Sequence, residues 1–349
     1  MLSETKLKGP WRITFDTNPD QCNLRCIMCE EHSKYYLSKG NMNRIMDFQI
    51  IEEVIEDAVD YGLQEIIPST MGEPLLYKSF IDLIKLVKRW SLKINLTTNG
   101  TFPRLGVEEW ANLILPIASD VKISINGAIK ETNELIMEGI NFKKQISNIK
   151  NFVYTRDKIR KKGINHPTIT FQTTFMKRNL KELPELLRIA IKMDIDRFKG
   201  HHLWITHPEL ENESLTQDWG SIKQWNKIVE EMHVIAETER LNNGRKIKLD
   251  NLYPILSHNR NTKNNKILDD FICPFLGREA WIAWDGKFNV CCAPDNLRGK
   301  FGSFGNVKDN NFMELWTSKS YSDLIQNWRN YEVCGICNMR KPKKDIGGC

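Results

Sequence analysis

Three cysteines near the start, Cys22, Cys26 and Cys29 in the run Cys-Asn-Leu-Arg-Cys-Ile-Met-Cys, leave three and then two residues between their sulfurs. Thiolates at short intervals are how proteins hold iron–sulfur clusters. Three of them can take three corners of a four-iron cube and leave the fourth iron open, which makes it a place for chemistry. The gap of three is wrong for an ordinary zinc knuckle, whose thiols come in close pairs. A three-thiolate zinc site or a chance triplet is the alternative, and only context removes false positives from so short a motif.

The other cysteines supply part of that context. Nine cysteines fall into two groups, Cys22 to Cys29 and Cys273 to Cys349, with none in the 243 residues between. In a reducing compartment clustered thiols point to metal rather than disulfides. Between Cys273 and Cys291 lie 17 residues that include Asp285-Gly286, and 42 more precede Cys334-Gly-Ile-Cys337. A strand, an Asp-Gly hairpin turn and a second strand would bring Cys273 and Cys291 together. The late pair would close a four-thiolate site, for which structural zinc is the competing reading. Cys292 and Cys349 are left over.

Both groups need elements to hold them. From residue 11 to about 204, short apolar runs alternate with amphipathic stretches, the pattern of βα units around a parallel sheet. Strands are expected at 11–16, 64–69, 92–98, 120–125, 168–174 and 195–204. Helices are expected at 80–90, 108–115, 142–161 and 180–193, and one is expected to start at Asp47 with Ile51, Val54, Ile55 and Ala58 on its apolar face. The fold class is therefore α/β, a partial (β/α)6 TIM-like barrel with a small C-terminal cysteine-rich domain. The expected divisions are a core at 1–210, a helical connector at 211–265 with a helix near 221–240 and a polar stretch at 257–265, and an auxiliary domain at 266–349. In such barrels ligands sit beyond the C-terminal ends of the strands. Cys22 follows the first strand and Glu73 the second, so both rise on that rim.

The triplet resembles the signature of the radical S-adenosylmethionine superfamily, and further motifs extend the resemblance. Met71-Gly72-Glu73-Pro74 is similar to the family's Gly-Gly-Glu-Pro, with Met71 replacing the first glycine. Thr97-Thr98-Asn99-Gly100 ends the third strand, and Ser124-Ile125-Asn126-Gly127 resembles the element that binds ribose hydroxyls. Ser124 and Asn126 share one strand face by the period of two. The resemblance implies a 4Fe-4S cluster on Cys22, Cys26 and Cys29 whose open iron chelates S-adenosyl-L-methionine. It also implies cofactor contacts from Met28, Gly72, Glu73, Thr98, Asn99, Ser124 and Asn126. Phe304-Gly305-Asn306-Val307 and Glu314-Leu315-Trp316 resemble elements of SPASM/twitch auxiliary domains, which implies one auxiliary 4Fe-4S cluster on Cys273, Cys291, Cys334 and Cys337. Strands five and six offer Gln172, Lys199, His202 and Trp204 as substrate contacts. At most one of the adjacent His201 and His202 should face the site.

Composition limits the remaining classes. No stretch approaches the roughly 18 apolar residues of a membrane span and no signal peptide opens the chain, so a cytoplasmic protein without a membrane partner is expected. The net charge of +6 is mild and scattered. It suits an acidic electron donor such as flavodoxin or ferredoxin better than nucleic acid. The family chemistry implies hydrogen abstraction from a substrate C–H bond. With no cysteine between residues 30 and 272 to return a hydrogen atom, the expected outcome is oxidative, a dehydrogenation. The alternative is epimerisation or cross-linking of a ribosomally made peptide. About ten residues precede the first strand, too few for a leader-binding domain, which tilts the expectation toward a small polar or sugar-like substrate. The competing class is a zinc or iron–sulfur protein acting in interaction or electron transfer without catalysis.

Overall fold

A computed structural model describes residues 8–36, 43–69, 71–163, 166–255, 271–337 and 339–343. Cys349 and the polar stretch 257–265 lie outside the described residues.

Strand alternation builds the framework. In β1 (Arg12–Phe15), Ile13 and Phe15 are buried in the hydrophobic core, while Arg12 and Thr14 turn to the opposite, cavity-lining side. β2 (Glu65–Ile67), β3 (Lys93–Thr98), β4 (Ala118–Ser124), β5 (Thr168–Phe175) and β6 (Arg197–His202) follow in order, each parallel to its predecessor. These are the six expected strands. β7 (Lys248–Asp250) adds a further parallel strand beside β6, inside the segment read as connector. Three residues are too few for alternation to register in a sequence.

Helices cover the outer face: α1 (Phe48–Val59), α2 (Phe80–Arg89), α3 (Val107–Ile114), α4 (Lys130–Ile136), α5 (Phe142–Lys161), α6 (Leu183–Lys192) and α7 (Trp219–Thr238). α1 starts where expected, because the Asp47 carboxylate accepts the Gln49 N–H at 3.1 Å. Such a cap is worth about 1 kcal/mol. Ile50, Ile51, Val54, Ile55 and Ala58 form its buried face.

The C-terminal part joins the same sheet. β8 (Phe271–Ile272) pairs antiparallel with β11 (Lys341–Pro342), while β9 (Glu279–Ile282) and β10 (Phe288–Asn289) form a hairpin. β9 runs parallel to β1 along its free edge, giving the order β10-β9-β1-β2-β3-β4-β5-β6-β7. Arg12 fastens this junction. Its guanidinium meets Glu65 of β2 at 2.8 Å and Glu279 of β9 at 2.5 Å, each a direct cross-strand neighbour. No helix among the described residues is long and apolar enough to cross a membrane.

Candidate functional site

The loop after β1 is fixed to the loop after β2 by backbone. Glu73 N–H donates to Gln21 O at 2.8 Å, and the Asn18 amide donates to Glu73 O at 2.9 Å. Gly72 sits between them with φ +77°, and a Cβ there would stand 2.2 Å from Asn18 O. Only glycine allows this approach, so the Gly72 expected at a ligand contact also brings Cys22 and Glu73 to one rim.

Cys22, Cys26 and Cys29 are half-buried and line a chamber of about 400 Å3. Burial pushes the Cys22 thiol up to about 12 and raises Cys26 and Cys29 as well, each increased further by neighbouring negative groups. Thiols so placed ionise only beside a cation, and cluster iron meets that need. Leu24 N–H donates to Cys22 Sγ at 3.5 Å, the kind of hydrogen bond that tunes a cluster. This donor set fits the implied cluster.

The cofactor residues named from sequence line the same chamber: Met28, Gly72, Glu73, Thr98 and Asn99 on one side, Ser124 and Asn126 on the other. Glu73 is buried; the Thr98 hydroxyl and Leu75 N–H donate to its Oε1, and Asn99 N–H donates to Oε2 at 2.8 Å. Burial nevertheless outweighs these donors and lifts its carboxyl to about 7. Asn126 ties β4 to β5, its Oδ1 accepting Thr174 N–H at 2.8 Å. Gln145 of α5, which the sequence reading missed, donates to Asn99 O and Ser124 O at 2.8 and 2.9 Å and holds the two strand ends together. Its signal was a polar residue within the buried stripe of a helix.

A second cavity of about 250 Å3 lies deeper in the barrel and shares Glu30, Met71, Thr97, Gln172, His201, Cys292 and Met339 with the chamber. Gln172 and Lys199 line it as expected, and Trp204 lines the chamber. His202 is a correction. Period-two alternation gives the site His201, the residue sharing a face with Lys199. His202 instead packs against Phe175 and Trp225 of α7, with ring centroids 5.7 and 4.5 Å away. A larger open groove of about 770 Å3 along α7 carries no cysteine.

The four late cysteines are gathered by two ribbons and a short helix, Glu332–Ile336, which carries Cys334 and ends at Cys337. The hairpin turns at Asp285-Gly286 as expected, with Gly286 at φ +89° and its N–H donating to Ala283 O at 2.9 Å. Asn306 of the Phe-Gly-Asn-Val element donates to Asp285 O at 3.1 Å and would lie 2.5 Å from a Gly286 Cβ, which explains both residue types. β8 and β11 bring Cys273 beside Cys337. Burial raises the thiols of Cys273, Cys291 and Cys334, and the neighbouring cysteines of the set, Cys337 among them, raise each of the three further. Leu276 N–H and Met339 N–H donate to the sulfurs of Cys273 and Cys337 at 3.5 and 3.4 Å. None of these four lines either cavity, whereas Cys292 lines both. Among the described residues no three metal-ligating side chains converge on a single-ion site; a cube takes one thiolate at each corner.

Comparison with known proteins agrees with this donor chemistry. A model of the Radical SAM superfamily matches residues 19–190, and a model of an Iron-sulfur cluster-binding domain, SPASM, matches residues 273–338. The tungsten-containing aldehyde ferredoxin oxidoreductase cofactor-modifying protein of Pyrococcus furiosus is 27% identical over 346 residues, 92% of this chain and 85% of its own. The Fe-coproporphyrin III synthase of Methanosarcina barkeri is 23% identical, covering 95% of this chain and 79% of its own. In fold, the chain is similar to Streptococcus suis SuiB bound to precursor peptide SuiA, with TM-score 0.64 and 16% identity over 98% of this chain and 72% of SuiB.

Proposed function

Because the chain belongs to the radical S-adenosylmethionine superfamily and ends in an iron–sulfur-binding SPASM domain, we propose that it attacks a C–H bond of a small polar, sugar-like substrate and completes a dehydrogenation there. The observation that carries this reading is the continuity of the two cavities. All three early thiols line the upper one, polar strand residues line the lower one, and Cys292, next to Cys291, stands in the wall of both. When bound, S-adenosylmethionine and its cluster would supply hydrogen-atom abstraction, and the auxiliary cluster would supply an acceptor for the remaining electron as one proton leaves the substrate.

The chain's own residues bind and orient. Cys22, Cys26 and Cys29 hold the cleaving cluster; Cys273, Cys291, Cys334 and Cys337 hold the auxiliary one. Gly72 and Glu73 would hold the methionine amino group, Ser124 and Asn126 the ribose hydroxyls and Met28 the adenine, with Thr98 and Asn99 fixing Glu73. Gln172, Lys199, His201 and Trp204 are left for substrate. The small lower cavity suits a compact substrate, being at the low end of ligand pockets. A flavodoxin or ferredoxin supplies the starting electron, its acidic surface matched to the mildly basic chain.

Cys292 favours a second reading. A thiol in the wall of both cavities is placed to return a hydrogen atom, which makes the outcome redox-neutral, as in epimerisation of a peptide residue. Deuterated aminocyclitols, sugars and short peptides, offered to the reduced holoenzyme with S-adenosylmethionine, distinguish the two. Deuterium should pass from the substrate into 5′-deoxyadenosine, and the product should carry no solvent deuterium at that carbon. Solvent deuterium there, lost in Cys292→Ala, would establish the second reading, and a two-cluster protein that yields no 5′-deoxyadenosine would end both.

A further inference from the structure

The barrel floor carries charge that the cofactor site does not use. In register, Lys122 of β4 lies opposite Thr170 and Lys199 of β6 opposite Gln172, so both lysines lean inward from the strands that flank β5. They line the 250 Å3 cavity together with Thr14 of β1. Lys122 is 7% exposed, and its ammonium donates to the Asn95 amide oxygen. Lys199 lies 3.7 Å from Asp250, which is held more closely by Lys341 at 3.0 Å. The Thr14 hydroxyl is buried with no hydrogen-bond partner among the described residues.

The acids of this cavity are spoken for or sit higher. Glu279 is bound to Arg12, Glu31 to Arg44 and Asp295 to Arg298. Asp16 and Glu30 lie at the rim, just after β1 and beside Cys29. Around the floor Arg12, Lys122, Arg197, Lys199 and Lys341 are interleaved with Glu65, Asp120, Asp250 and Glu279. A buried ammonium bound to a neutral amide, a second one 3.7 Å from its carboxylate and an unpaired hydroxyl on one cavity are groups that an anion would satisfy. Burial, together with the charge of Lys199, lowers Lys122 to about 7.

We propose that Lys122, Lys199 and Thr14 form a subsite for a substrate carboxylate, which holds the reacting carbon above it, toward Cys22, Cys26 and Cys29. This rests on reading the upper chamber as the radical site. The substrate class is accordingly a carboxylic acid, supplied either by a small molecule or by an acidic peptide side chain.

The test uses the reconstituted full chain, [1-13C]butyrate as probe, butyramide as its neutral control, and the capped tripeptide N-acetyl-Gly-Glu-Gly-amide. Binding is followed by 13C line broadening at fixed ionic strength. A carboxylate probe should bind saturably and butyramide should not. Lys122→Met should weaken that binding about tenfold and Thr14→Val about threefold, the size expected for losing a charged and a neutral donor. Butyrate alone assigns the seat to a small acid, and the tripeptide alone assigns it to a peptide. Equal binding by Thr14→Val, Lys122→Met and the parent chain, or no binding by either carboxylate, overturns the subsite. Iron content reports whether Lys122→Met has folded; if it has not, Thr14→Val decides. Lysine-dependent binding in a chain that forms no 5′-deoxyadenosine keeps the subsite and places the failure with the radical reading.

Discussion

The early and late cysteines are two sets of thiols of similar burial in different settings. Cys22, Cys26 and Cys29 sit on one loop after β1, and all three line the chamber. Cys273 and Cys291 follow strands of two ribbons, Cys334 and Cys337 come from a short helix (Glu332–Ile336) and its C-cap, and none of the four lines it. Three thiolates from one loop would leave one corner of a cluster facing the cavity, and four would close every corner. On the proposed reading the first arrangement binds S-adenosylmethionine, and the second passes or accepts electrons. Cys292 stands where the two meet.

The strongest way to break this comparison is to remove one set at a time. The triple variant Cys22→Ala, Cys26→Ala, Cys29→Ala should abolish 5′-deoxyadenosine formation while iron falls from about eight to about four per chain. Cys273→Ala with Cys337→Ala should lose a similar share of iron yet keep S-adenosylmethionine cleavage, and product should disappear. Equal loss of cleavage in both variants would erase the distinction.

Glu73 sharpens the picture on the early side. Its folded carboxyl titrates at about 7, above its ordinary 4.5. Between these values the folded chain holds a proton that the unfolded chain has released, so stability falls as pH rises through that window. The full effect is about 3 kcal/mol as an upper bound. Anaerobic urea midpoints of the reconstituted chain should drop from pH 5 to pH 7.5, and Glu73→Gln should flatten that slope.

Smaller effects come from the two glycines that set the loops. Gly72→Ala meets Asn18 O and Gly286→Ala meets the Asn306 side chain, each at positive φ. Each should cost about 2 kcal/mol. Gly72→Ala should lower the iron held by the early set and Gly286→Ala that held by the late set, read by the separate spectra of the two clusters.

The parts of the site carried by short motifs at strand ends were legible in the sequence. Cys22 to Cys29, Glu73, Ser124 and Asn126 follow their strands directly, and alternation turns Ser124 and Asn126 to one face. The hairpin at Asp285-Gly286 was legible for the same local reason. Pairing between distant segments was not. β9 lies on the edge of β1 through Arg12 and Glu279, 267 residues apart, and no periodicity announces that. The choice between His201 and His202 was available from alternation with Lys199, and the ring of Phe175 fixes it, filling the space where a Gly200 Cβ would stand at 2.1 Å. Lys122 and Thr14 read as ordinary strand residues until the curved sheet leaves them facing a cavity.

Electron paramagnetic resonance of the dithionite-reduced chain, with and without S-adenosylmethionine, tests the contrast between the two cysteine sets most directly. Two four-iron signals should be present, and S-adenosylmethionine should perturb only the one that vanishes in the Cys22, Cys26 and Cys29 variant. A perturbation that survives in that variant, or none in the parent chain, would contradict the account.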